Sequence, residues 1–265
     1  MTREKSGDTS ILIEGDGPPV ILVHGMGLNL QMWDWQMPRL RDRFRVIRYD
    51  LLGHGDSDKP VKRYDMADLV DQLGRVMDAD GLDRAAIVGF SLGGLIVRAF
   101  ALAHPDRVTA LAILNSAHAR NETERAGMME RLALATREGH LATVEPAIRR
   151  WFTEDFIVRH PEIIDQVRRW MADNDSEVYP LVYRVLAEGD GPLARSITAI
   201  RCPTLVLACE DDAGNSPDMA RRMAALIPDA CAAIVPGLKH MGLVEKPEAI
   251  SDILVPFLTS AIGSN

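Results

Sequence analysis

Short apolar, β-branched runs alternate with helix-patterned stretches along most of this chain, and that alternation limits the possible fold more than any other feature. "SILIEGD", "PVILVHG", "RVIRYD", "AAIVGF", "VTALAILN", "TLVLACE" and "CAAIVPG" each have the length and composition of a strand. Between several of them, apolar residues recur at three- and four-residue spacing, the period of a helix with one buried face. "YDMADLVDQLGRVMDADG" is one such stretch, with Asp65 placed to cap it, and "LGGLIVRAFALAHP" is another, stopped by Pro105. Nearly continuous apolar strands separated by helices imply an α/β fold with a mostly parallel central sheet, covered by helices on both faces. Apolar residues make up 47% of the chain and aromatic residues 5%, so Ala, Leu, Val and Ile must build the core.

The rhythm breaks between about Asn121 and Ala194. There "ETERAGMMERLALATREG", "LATVEPAIRRWF", "PEIIDQVRRWMAD" and "SEVYPLVYRVLAEGD" read as successive helices with no strand between them, and Gly189 and Gly191 mark the exit. A helical block inside an alternating fold suggests a lid. The expected division is a core of residues 1–120 and 195–265 with a helical lid, or cap, over 121–194. The alternative is a helical layer that merely extends the core.

The formal charge of −8 opposes non-specific binding to nucleic acid or to an anionic membrane surface, and no dense Lys/Arg block reverses it locally. Cys202, Cys209 and Cys231 are odd in number and lack CxxC spacing, which disfavours a disulfide framework or a zinc site. The polar start "MTREKSGDTS" has no apolar signal core, and no apolar run approaches a membrane span. The expected location is therefore cytoplasmic. Nothing in the sequence sets the oligomeric state.

"VGFSLGG" places Ser91 between Gly89 and Gly93, directly after one predicted strand and before a predicted helix. A very sharp strand-to-helix turn forces its central residue into strained geometry and brings the flanking backbone so close that only glycine fits. This is the G-x-S-x-G nucleophile elbow. A serine hydroxyl is a poor nucleophile at neutral pH and needs a neighbouring base. His240, in "VPGLKHMGLVEKPEAI", follows the last predicted strand and lies on the same face of the sheet. The imidazole needs a carboxylate to orient it, and "TLVLACEDDAGNSP" ends a strand in Glu210, Asp211 and Asp212. Asp212 is the first choice and Asp211 the second. A developing oxyanion needs fixed donors; the backbone N–H groups of Met26, in "VILVHGMG", and of Leu92 are candidates. His24 and His54 read as structural.

On "VILVHGMG", "RVIRYDLLGHGDSDKP", "VGFSLGG", "PTLVLACEDDAGNSP" and "PGLKHMGLVEKPE", the chain resembles the α/β-hydrolase fold over nearly its whole length. The resemblance implies Ser91 as nucleophile, Asp212 as acid, His240 as base, and Met26 and Leu92 as oxyanion donors. Within that family, "AILNSAHA" and "REGHLATVEPAIRRWFTEDFIVRHPEIIDQVRRWM" are similar to 3-oxoadipate enol-lactonases, which implies a small ester or enol-lactone substrate. The implied chemistry is hydrolysis through an acyl-enzyme, without metal or organic cofactor. Trp33, His118, Trp151 and Phe152 are candidate pocket residues, and Arg149 or Arg150 would supply a cation for a carboxylate-bearing lactone. Three other functions remain open: C–C bond hydrolysis of vinylogous diketones, cofactor-free perhydrolysis, and a ligand receptor on the same fold.

Overall fold

The computed structural model describes residues 3–263 of the 265-residue chain. Its first half runs β1 (Arg3–Ser6), β2 (Thr9–Glu14), β3 (Pro19–Val23), α1 (Met37–Leu40), β4 (Arg45–Tyr49), α2 (Met66–Ala79), β5 (Ala85–Phe90), α3 (Leu92–Ala103) and β6 (Val108–Leu114). Six helices follow: α4 (Glu122–Glu138), α5 (Val144–Trp151), α6 (Glu154–Arg159), α7 (Pro161–Ala172), α8 (Tyr179–Glu188) and α9 (Asp190–Ser196). Alternation then resumes with β7 (Thr204–Cys209), α10 (Pro217–Leu226), β8 (Ala230–Val235), α11 (Gly242–Glu245) and α12 (Pro247–Gly263).

The eight strands form one sheet in the order β1-β2-β4-β3-β5-β6-β7-β8. The β1–β2 and β2–β4 pairings are antiparallel; every pairing from β4 to β8 is parallel. This is the α/β fold with a mostly parallel central sheet expected from the alternation. Side-chain alternation splits the interior into two layers. Ile21, Val23, Ile87 and Ile113 pack with α2 and α3, while Val20, Leu22, Ala86 and Val88 pack on the opposite face with Trp33 and α12. β5 and β7 are buried at every residue, which explains their unbroken apolar sequences.

After β3 the chain goes to β4 on one side and then crosses to β5 on the other. The strand order therefore reverses between β3 and β5, where a parallel sheet opens a crevice at its carboxyl end. Gly25 and Ser91 follow those two strands.

Helices α4–α9 are fastened to the loops at that same end. Asn174 Nδ2 donates to the Gly27 carbonyl at 3.0 Å, and Val178 and Val182 crowd Gly53. The Met241 N–H donates to the Trp151 carbonyl at 2.9 Å, and Thr153 bonds the Glu245 carboxylate through its hydroxyl and its amide. Past Gly189 the chain stays helical, since α9 carries Gly191 and a further 3-10 turn runs to Ala199 before β7. No described helix is long and apolar enough to cross a membrane.

Candidate active site

Ser91 sits between β5 and α3 at φ 55°, ψ −110°, a region that a side-chain-bearing residue enters at a cost of about 1–3 kcal/mol. Two hydrogen bonds hold the turn: the Ser91 N–H donates to the Leu114 carbonyl at 2.9 Å, and Ser116 Oγ donates to the Ser91 carbonyl at 2.8 Å. The flanking glycines are steric requirements. A Cβ on Gly89 would lie 2.3 Å from the Gly93 carbonyl oxygen, and one on Gly93 would lie 2.2 Å from that of Val23. Backbone atoms cannot swing aside, so any larger residue would push α3 off the sheet.

His240 follows β8 and is almost fully buried, with Phe90 at a ring-centroid distance of 4.7 Å and Trp151 at 5.9 Å. Its Nδ1 lies 2.6 Å from Asp212 Oδ2. An ionised carboxylate only accepts, so Nδ1 carries the proton and Nε2 is left with its lone pair. Nε2 makes no hydrogen bond among the described residues. Of the three acids after β7, Asp212 is the one that reaches the imidazole. Asp211 is exposed, and Glu210 accepts from the Gly237 N–H at 3.0 Å.

Asp212 is braced from several sides. Oδ1 accepts the amides of Gly214 at 3.0 Å and Asn215 at 3.1 Å, and Oδ2 accepts Asn115 Nδ2 at 3.0 Å. Burial alone would raise this carboxyl, but His240, Asn115 and Asn215 outweigh it and hold it below the ordinary carboxylate range. Asn115 was not among the residues expected from sequence. It stands at the end of β6 with φ 46°, and its contact with Asp212 exists because β6 pairs with β7. Cys209 lies behind it, fully buried, with Sγ 3.7 Å from Asn115 Oδ1. Burial pushes that thiol up to about 12, so it stays protonated at neutral pH and is no nucleophile.

The loop after β3 is braced by two buried histidines. His24 Nδ1 donates to the Gly25 carbonyl at 2.8 Å and its Nε2 accepts the Leu51 N–H at 2.9 Å. His54 Nε2 accepts the Gly27 N–H at 3.0 Å, and the two rings meet edge to face at 5.2 Å. Both histidines are thereby structural. The Met26 N–H between these anchors, and the Leu92 N–H at the head of α3, donate to no protein group among the described residues.

Ser91, Asp212, His240 and Met26 all line one cleft of about 840 Å³, counting its open mouth. Arg150 and Trp151 line it as well. The other expected substrate contacts do not. Trp33 and Phe152 are fully buried in the layer beneath α12, where their area serves packing. His118 opens onto a separate groove with Asp190 and Arg222. Arg149 is exposed, and its carbonyl accepts from Lys239 Nζ at 3.1 Å. Arg120, Arg131, Tyr179 and Tyr183 line the cleft instead. Helical spacing could not single them out, because the cleft wall is assembled from α4, α5 and α8 together. Among the described residues, no group of three His, Cys, Asp or Glu is placed to hold a metal ion.

Comparison with known proteins agrees with the fold. The family model for the alpha/beta hydrolase fold matches residues 18–247. The chain is 29% identical over 245 residues to an (E)-2-((N-methylformamido)methylene)succinate hydrolase of Acinetobacter baylyi, covering 92% of each. It is also 29% identical to 3-oxoadipate enol-lactonase 2 of the same organism, over 90% of this chain and 87% of that one. Among solved structures, the enol-lactonase of Burkholderia xenovorans LB400 superposes with a TM-score of 0.88 at 29% identity, covering 95% of this chain and 96% of that one. A family match spanning both halves of the sheet, with solved relatives that keep the same architecture over nearly their whole length, makes this chain a member of the α/β-hydrolase family.

Proposed function

We propose that the chain is a serine hydrolase that cleaves a small carboxylic ester or enol-lactone through an acyl-enzyme. The observation that carries this reading is the 2.6 Å bond between His240 Nδ1 and Asp212 Oδ2, made in the cleft that the strained Ser91 also lines. With its proton on Nδ1, His240 presents Nε2 as the base. Ser91 Oγ attacks the carbonyl carbon as Nε2 takes its proton, and Asp212 stabilises the imidazolium. The Met26 and Leu92 N–H groups hold the tetrahedral oxyanion, each worth about 3 kcal/mol of barrier when well aimed. Imidazolium then protonates the leaving oxygen. A water, deprotonated by the same nitrogen, attacks the acyl-serine; the imidazolium returns that proton to Ser91 Oγ as the carboxylic acid departs.

Residues 121–194 act in this reading as the lid, with the core formed by residues 1–120 and 195–265. Support comes from the cleft itself, whose wall includes Arg131 of α4, Arg150 of α5 and Tyr179 of α8. The names of the relatives, a lactonase and a succinate-derivative hydrolase, support a small, oxygen-rich substrate. All three cysteines are free, which fits a reducing, cytoplasmic setting.

A fluorophosphonate probe is expected to label Ser91, located by peptide mass. Ser91→Ala is expected to abolish labelling and to lower kcat by about 10⁴- to 10⁶-fold with the fold intact. Labelling at another residue, or near-normal turnover by Ser91→Ala, refutes the assignment.

A further inference from the structure

Arg120, Arg131 and Arg150 converge on the cleft that holds Ser91. They come from three places: the turn before α4, the middle of α4 and the end of α5. Elsewhere on this molecule arginines find carboxylates, as in Arg45–Asp80, Arg48–Glu14 and Arg168–Glu145. These three form no ion pair among the described residues. Arg120 Nη1 donates to the Leu186 carbonyl at 3.2 Å, Arg131 Nε to the Tyr183 hydroxyl at 3.3 Å, and Arg150 Nη1 to the Pro146 carbonyl at 3.1 Å. All of these acceptors are neutral. Burial lowers the guanidiniums of Arg120 and Arg150, and the charge of Arg131 lowers both further. Two acids lie near Arg120: Asp190, which also faces the buried Arg98 and accepts the backbone amides of Ala119 and Arg120, and Glu124, whose carboxylate accepts the Asn121 N–H at 2.7 Å. Four guanidiniums therefore face three carboxylates, Asp190, Glu124 and Asp212, none of which forms an ion pair with Arg120, Arg131 or Arg150 among the described residues.

Clustered like charges in a partly desolvated cleft are costly unless an anion joins them. We propose that this cluster binds a substrate with two free carboxylates, so that the scissile ester or lactone belongs to a dicarboxylate. Arg150 is fixed relative to the base, since the next residue, Trp151, accepts the Met241 N–H at 2.9 Å. Arg131 is held by Tyr183 across the cleft wall. The guanidiniums thus approach from separate helices, which suits two anionic groups better than one. The inference takes the reacting bond from the hydrolase reading above, but the anion site does not depend on it.

Succinate, succinamate and succinamide have nearly the same shape and carry two, one and no charges. They are to be titrated calorimetrically into the Ser91→Ala protein at low salt, where exposed charges are least screened. Each carboxylate replaced by carboxamide is expected to weaken binding at least about tenfold, the usual scale of a charge-assisted contact. In Arg131→Gln/Arg150→Gln the three ligands are expected to converge within about threefold, and Lys at both positions to restore part of the preference. Equal binding of the three ligands by the Ser91→Ala protein overturns the inference, as does a preference that survives in the double variant. Should the double variant fail to fold by circular dichroism, Arg150→Gln alone reads the same loss. Hydrolysis of 4-nitrophenyl acetate separates the two ideas: turnover that persists in Ser91→Ala sinks the serine mechanism and leaves the anion result standing. Ser91-dependent turnover with no charge preference sinks the dianion alone.

Discussion

At Ser91 the backbone adopts φ 55°, ψ −110°, a conformation that a glycine reaches without penalty and a Cβ resists. Strain of that kind reverses an ordinary ranking. Gly normally loses to Ala because its unfolded chain has more freedom to give up, by about 0.4–1 kcal/mol. Here relief of about 1–3 kcal/mol outweighs that loss. Ser91→Gly is therefore expected to melt about 2–4 °C above Ser91→Ala, both proteins being inactive, in paired calorimetric scans. An equal or lower melting temperature for the glycine variant would mean that the turn is unstrained. The elbow was readable because its glycines are local, three residues of one turn. Asn115 was not, since its bond to Asp212 crosses from β6 to the loop after β7 and leaves no periodic trace. Trp33 and Phe152 show the opposite error. An aromatic residue beside a loop reads equally as cleft wall or core, and burial decides for core at both.

Elements were legible where the pattern is dense. Seven strands announce themselves as apolar runs, five of them, β3 through β7, because helices cover both of their faces. β1, "REKS", does not, since it pairs only with β2 at the sheet edge and carries no apolar side chains to bury. α6 and α9 were missed for a related reason: at six and seven residues they are too short to display a helical period. Local cap chemistry survives where periodicity fails. Asp65 was expected to cap α2, and it does so in a reciprocal box: its side chain accepts the Asp68 N–H and the Asp68 side chain accepts the Asp65 N–H, each at 3.0 Å. Asp65 and α2 do not line the cleft, and Asp65→Ala is expected to cost about 1 kcal/mol of stability. Urea denaturation should show that loss while kcat/KM stays constant. A variant as stable as the parent would assign the capping energy elsewhere.

For the molecule as a whole, the carboxyl ends of β3, β5, β6, β7 and β8 bring distant loops into one cleft, and two histidines that take no part in proton transfer hold the first of those loops. His24 and His54 are fully buried; burial pushes them down to about 4 and about 3. Each uses Nε2 as an acceptor for a backbone N–H, so protonation would break the bond as well as bury a charge. In the unfolded chain both titrate near 6.5. Above that pH neither state takes up the proton, and their contribution to stability is whole. As pH falls below about 6.5 the unfolded chain binds protons that the native one refuses, so stability declines progressively toward the folded values. At about pH 4.5 the loss is on the order of 2–3 kcal/mol for each histidine. Urea midpoints taken at intervals from pH 7.5 to 5 should fall accordingly, and His54→Gln should flatten that fall while lowering the neutral-pH midpoint through the weakened hold on Gly27. If the slope is the same with and without His54, the loop after β3 tolerates a charged imidazole. The brace that keeps the Met26 amide free would then have to be the covalent path through Gly25 and Gly27 alone.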